Sequence, residues 1–136
     1  TLHPAMGMYL AMLGNEKADP ERNIRPDENF AREVMQLFTV GLQLLNQDGS
    51  PILDEATSLP RQTYSPLDVQ NYAAAFTGWY FADQESYKFG DTFHSIDWQD
   101  RLAPMTAYEE FHQKTAKKLL RNYYVPAGAS PSDSLE

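Results

Sequence analysis

The chain has 136 residues, room for one compact domain and too few for two ordinary ones. Lys and Arg number 11 against 19 Asp and Glu, and the resulting net charge of −8 argues against a duplex nucleic-acid binder or docking on an anionic membrane. Hydrophobic residues at 42% exclude a disordered tail, yet no apolar run approaches the ~18–20 residues that cross a bilayer.

Cysteine is absent, which removes disulfides, thiolate nucleophiles and Cys-based zinc sites. The chain opens at Thr1 with neither an initiator Met nor a signal-type segment, and residues 130–136 are small and polar apart from Leu135. The expectation is one globular unit over 1–129, excised from a larger, mostly helical protein, with 130–136 as a linker or a cut end.

Residues 4–13 are apolar nearly all round. Pro4 suits a first turn and Gly14 the residue past the end, so a short helix buried on most sides is predicted. Residues 16–26 carry alternating charges and two prolines and read as a loop. Over 27–40 the pattern is helical: Asp27 and Glu28 favour the N-terminal end of the dipole, and Gly41 ends the run. Phe30, Val34, Leu37 and Phe38 form its apolar stripe, widened by Ala31 and Met35. Residues 42–53 are split by Asp48-Gly49, a hairpin-type dipeptide.

A second helix is punctuated at both ends within 64–77. Ser65 is the N-cap, Pro66 stands at N1, Asp68 completes a capping box, Tyr64 and Val69 can form a staple, and Gly78 stops it. Its buried stripe is Val69, Tyr72, Ala73 and Phe76. Residues 80–101 lack periodicity. For 105–125 short antiparallel strands with a turn near Asn122 compete with a helix over 108–120, and Pro126-Ala127-Gly128 ends the order.

The three histidines, His3, His94 and His112, offer no H-E-x-x-H pair. His3 reads as a cap or surface residue. His112, after Glu109 and Glu110, admits a metal or acid–base pair, against the plainer reading of a solvated acidic stretch. Asn46, Asp48, Gly49 and Glu55 match positions of a calcium loop, but Leu44 and Pro51 break the register, which leaves a turn. No metal and no cofactor is expected. Asn29, Arg32, Glu33 and Gln36 fall at i, i+3, i+4 and i+7 and make one polar strip, in which Glu28 can pair with Arg32 and Asn29 with Glu33. Turned inward, Arg32 and Glu33 would need partners such as His112 or Lys117, because an uncompensated buried charge costs several kcal/mol. The candidate polar cluster is therefore Asn29, Arg32, Glu33, His112 and Lys117. Lys114, Lys117, Lys118 and Arg121 form a basic cluster, read as a solvated face or an anion contact.

Three ordered stretches resemble a known family: His3-Pro4-Ala5-Met6 through Asn29-Phe30-Ala31-Arg32-Glu33 to Gly41; Tyr64-Ser65, Asp68-Val69 and Ala75-Phe76-Thr77-Gly78-Trp79; and His112, Lys117, Leu119-Leu120 with Pro126-Ala127-Gly128. Together they resemble the bacterial domain-of-unknown-function 1800 family. The resemblance implies large, often exported bacterial proteins without an established activity, and a lean towards the cell envelope. It supplies no accepted catalytic residue. Arg121 departs from it, since the family typically has glycine after the Leu-Leu pair.

The fold expected is mainly α with a minor antiparallel β-ribbon, an irregular helical domain. Its expected function is a packing or interaction module of a larger exported or envelope protein, its partners being the remainder of the parent chain and a further protein. The competing expectation is a fragment of a hydrolase-like enzyme with Glu33 and His112 as acid and base and Arg32 as anion holder.

Overall fold

His3 caps helix α1 (Pro4–Tyr9): its Nδ1 accepts from the Ala5 N–H at 3.1 Å, and Pro4 fills the first turn where a missing N–H costs nothing. The computed structural model describes residues 2–82 and 102–135. The irregular stretch predicted over 80–101, His94 included, lies almost wholly outside them.

Helix α1 is shorter and wetter than its composition predicts. A left-handed residue, Ala11 at φ 58°, turns the chain soon after Tyr9. Within the helix only Pro4 and Gly7 are buried, and Tyr9 is 80% exposed. Leu10 and Met12 enter the core from the turn that follows. The residues after it run beside the chain at 78–79: Gly14 donates to the Trp79 carbonyl at 2.9 Å and Gly78 to that of Asn15 at 2.8 Å. The loop that follows is tied internally. Asn15 exchanges hydrogen bonds with the Asp27 backbone, and Arg22 pairs with buried Glu16 and with Asp19.

Helix α2 (Asn29–Glu33) continues directly into a π-helical turn, Val34–Phe38. The wider turn shifts later side chains round the axis relative to α spacing. Phe30, Ala31 and Met35 therefore reach the core, while Leu37 and Phe38, predicted to lie on the buried stripe, are 67% and 55% exposed. Thr39 Oγ1 donates to the Val34 carbonyl and Gly41, at φ 72°, donates to that of Met35, closing the end.

The predicted turn at Asp48-Gly49 is present, with Gly49 at φ 84° and the Asp48 carboxylate accepting from the Ser50 N–H and Oγ. It is one corner of a three-legged arm over residues 42–63. Leu44 donates to the Arg61 carbonyl, Arg61 to that of Ile52, and Ile52 to that of Leu44, at 2.9, 2.8 and 2.8 Å. Three short legs thus satisfy one another in a closed ring rather than in a two-stranded ribbon.

Helix α3 (Pro66–Ala75) starts as its punctuation predicts. Ser65 Oγ accepts from the Asp68 N–H, and the Asp68 carboxylate accepts from the Ser65 N–H at 2.7 Å. Val69, Ala73 and Phe76 join Phe30, Ala31, Met35, Trp79 and Met105 in the main core, with Tyr72 partly buried against it. Strand β1 (Trp79–Tyr80) pairs antiparallel with β2 (Thr106–Ala107), and β3 (Lys117–Lys118) pairs antiparallel with β4 (Tyr124–Val125). Between β2 and β4 the strand reading holds against a helix over 108–120. The β3–β4 turn is a three-residue connection, Leu120 to Asn122, closed by the Leu119 N–H donating to the Tyr123 carbonyl at 2.7 Å, with Leu120 accepting from the Tyr123 N–H and Arg121 and Asn122 both at positive φ.

The mainly α expectation is therefore corrected. Helices of all kinds take 28% of the described residues and strands with bridges 14%. The cause is local. Apart from α3, each apolar run is cut by a left-handed turn, a π turn or a bridge before it completes two α-helical turns.

Candidate functional site

Helix α3 ends at a buried threonine that gathers the C-terminal third of the chain. Thr77 is fully buried; its Oγ1 donates to the Ala74 carbonyl at 2.7 Å and accepts from the Gln113 N–H at 2.8 Å. Gly78 follows at φ 89°, a conformation that glycine adopts without strain. A Cβ there would lie 2.9 Å from the Tyr108 carbonyl oxygen and 3.1 Å from His112 Cβ, so the absence of a side chain is what lets residues 108–112 pack on the helix end.

His112 is 1% exposed, and its Nδ1 lies 2.8 Å from the Thr77 carbonyl. A carbonyl only accepts, so Nδ1 carries the proton and Nε2 presents a lone pair. Ser134 Oγ donates to Nε2 at 3.1 Å, and Lys117 Nζ lies 3.4 Å from the same atom. Lys117 is 2% exposed and, among the described residues, has no carboxylate partner. Burial lowers the pKa of His112 from its ordinary value, and the nearby Lys117 charge adds to the effect against the opposing Thr77 hydrogen bond. Burial likewise lowers Lys117. Polar groups of Thr77, Lys117 and Ser134 thus converge on the buried ring of His112.

The candidate cluster from the sequence divides in two. His112 and Lys117 come together. The helix strip stands apart: Asn29 and Arg32 are exposed, Glu33 is half-buried, and Arg32 pairs with Glu28 at 2.6 Å as the i, i+4 spacing predicts. No hydrogen bond or ion pair among the described residues joins this strip to His112. The bond expected between Asn29 and Glu33 is not formed; the Asn29 N–H instead donates to Asp27 Oδ1 at 2.8 Å. Glu109, adjacent in sequence to the histidine segment, pairs with Lys114.

Two members of the cluster were missing from the sequence reading. Thr77 lies 35 residues from His112, and no spacing rule connects them. Ser134 carried a readable signal. Ser130-Pro131-Ser132-Asp133 repeats the Ser-Pro-x-Asp pattern that starts α3, and Ser130 Oγ donates to Asp133 Oδ2 at 2.7 Å as Ser65 does to Asp68. The capped turn closes with Ser134 N–H donating to the Ser130 carbonyl at 3.1 Å, which seats the Ser134 hydroxyl on His112.

A separate cleft of about 660 Å³ opens between the π turn, the three-legged arm and the β3–β4 turn, lined mainly by apolar side chains together with Thr39, Gln43, Thr63 and Arg121. No helix among the described residues is long and apolar enough to cross a membrane.

No curated protein and no solved structure matches this chain. A family model described as "Protein of unknown function (DUF1800)" matches residues 1–134. The three motif stretches and this match agree, and the chain belongs to that uncharacterised family.

Proposed function

We propose that this domain is a packing and interaction module of a larger bacterial protein, exported or held in the cell envelope, in which the His112 cluster is a structural clasp. The observation that carries the reading is the closure of that cluster. An acid–base site needs its groups at an opening where a substrate can reach them. His112 and Lys117 are 1% and 2% exposed and spend their contacts on Thr77, Ser134 and each other. Glu33 and Arg32 make no contact with His112, which leaves an acid–base pairing of Glu33 with His112 without geometric support. The export and envelope part of the reading rests on the family resemblance.

The face offered to a neighbour is apolar. Leu37, Phe38, Leu42, Leu53 and Leu59, on the π turn and the arm, are each more than half exposed. Large apolar residues left exposed on adjoining segments mark a contact surface, and the remainder of the parent polypeptide is its proposed cover. The sequence contains no cysteine, so a thiol introduced here is the only one in this domain, and with any cysteine elsewhere in the parent polypeptide replaced by serine it reports accessibility without background. In the intact protein the Phe38→Cys thiol is expected to react with a maleimide about tenfold more slowly than the Glu110→Cys thiol, because a covered site reacts only when it opens. Equal rates at the two positions contradict the reading.

A further inference from the structure

The cleft beside the arm has features that a protein-packing role does not explain. Its volume of about 660 Å³ falls within the roughly 300–1,000 Å³ of sites that hold small molecules. Val34, Met35, Val40, Leu45 and Tyr72 give it an apolar wall. Among the described residues that line it, Arg121 is the only charged one, in a chain whose net charge is −8. Arg121 has no ion-pair partner among the described residues.

The backbone of Arg121 is the second observation. It sits at φ 56° and ψ 29°, the left-handed region, at the first central position of the β3–β4 turn. Asn, Asp and Gly are the residues that suit this position, and a long side chain there is strained. Strained residues persist where the surrounding structure holds them, and they cluster at ligand sites. Here the strained turn delivers a lone cation to the rim of an apolar cleft.

We propose that this cleft binds a single-chain amphiphile with an anionic head, its alkyl tail along Val34, Val40 and Leu45 and its carboxylate or phosphate on the Arg121 guanidinium. The guanidinium offers a planar pair of donors that matches either head group. The apolar wall supplies the affinity for the tail, and Arg121 supplies the choice of charge.

Decanoate and decyl phosphate, each below its critical micelle concentration, are titrated into the intact protein by calorimetry beside the neutral octyl glucoside and the tailless acetate. Both anionic amphiphiles are expected to bind, the neutral one more weakly and acetate not measurably; whichever head binds tighter identifies the source. Arg121→Gly, whose residue fits the turn without strain, is expected to weaken decanoate about tenfold, the worth of one charged contact, while leaving octyl glucoside unchanged. Leu45→Glu, at an exposed position on the wall, is expected to weaken all three amphiphiles. Equal binding of neutral and anionic amphiphiles, binding of acetate alone, no binding at all, or an Arg121→Gly protein that still prefers decanoate would each overturn the proposal.

Discussion

Gly78 lies against His112 so closely that a methyl group on its Cα would stand 3.1 Å from His112 Cβ. The pair fixes where the C-terminal third meets α3. Gly78→Ala combines a left-handed backbone with overpacking against the Tyr108 carbonyl, and is expected to cost about 2–4 kcal/mol. A urea unfolding midpoint unchanged by the substitution contradicts this account of the junction.

Two substitutions in the clasp are expected to differ in sign or size. His112→Ala leaves the Thr77 carbonyl, the Ser134 hydroxyl and the Lys117 amine buried without their shared partner, a loss of about 3–5 kcal/mol. Lys117→Met removes a buried cation that lacks a carboxylate and keeps the volume, so stability is expected to stay level or rise. Denaturation of the two variants side by side checks the contrast.

The pKa directions set the sign of the pH dependence. His112 titrates below its ordinary value of 6.5 in the folded protein, so as acidity rises the unfolded chain takes the proton first and is favoured. Lys117 titrates below its ordinary 10.5, so the unfolded chain holds the extra proton up to that value. Both make stability fall as pH falls, His112 below about 6.5 and Lys117 on the alkaline side. Unfolding midpoints are expected to climb as pH rises to about 6.5 and again on the alkaline side towards about 10.5, and the alkaline climb is expected to be lost in the Lys117→Met protein.

Arg121→Gly relieves the left-handed strain and is expected to stabilise the domain by about 1 kcal/mol, raising the melting temperature by about 3 °C. A lower melting temperature means that Arg121 makes contacts which outweigh its strain.

Glu33→Ala tests the helix strip. With Arg32 paired to Glu28 and no bond from Glu33 to the clasp, the expected change is under about 0.5 kcal/mol, the ordinary range for a site away from the core. A shift of several degrees in the melt places Glu33 in a buried network after all.

Local chemistry was legible in the sequence. The Ser65–Asp68 capping box, the His3 cap, the Asp48-Gly49 turn, the turn at Asn122 and the Glu28–Arg32 pair each follow from a few adjacent residues, and each is present. Periodicity was less reliable where the backbone changes pitch. A residue stripe read at 3.6 per turn put Leu37 and Phe38 inside, and the π turn puts them outside. The clasp was half legible, since His112 and Lys117 are five residues apart while Thr77 and Ser134 arrive from distant segments through backbone pairing. The arm at 42–63 was hidden for a similar reason, its three legs being joined by single bridges.

The central claim is that His112 belongs to a closed clasp, and the nitrogen chemical shifts of its ring test it most directly. The account predicts a single tautomer protonated on Nδ1, a ring N–H protected from exchange, and no titration near 6.5 while the domain stays folded. Rapid tautomer averaging with an ordinary titration and a freely exchanging proton would contradict it.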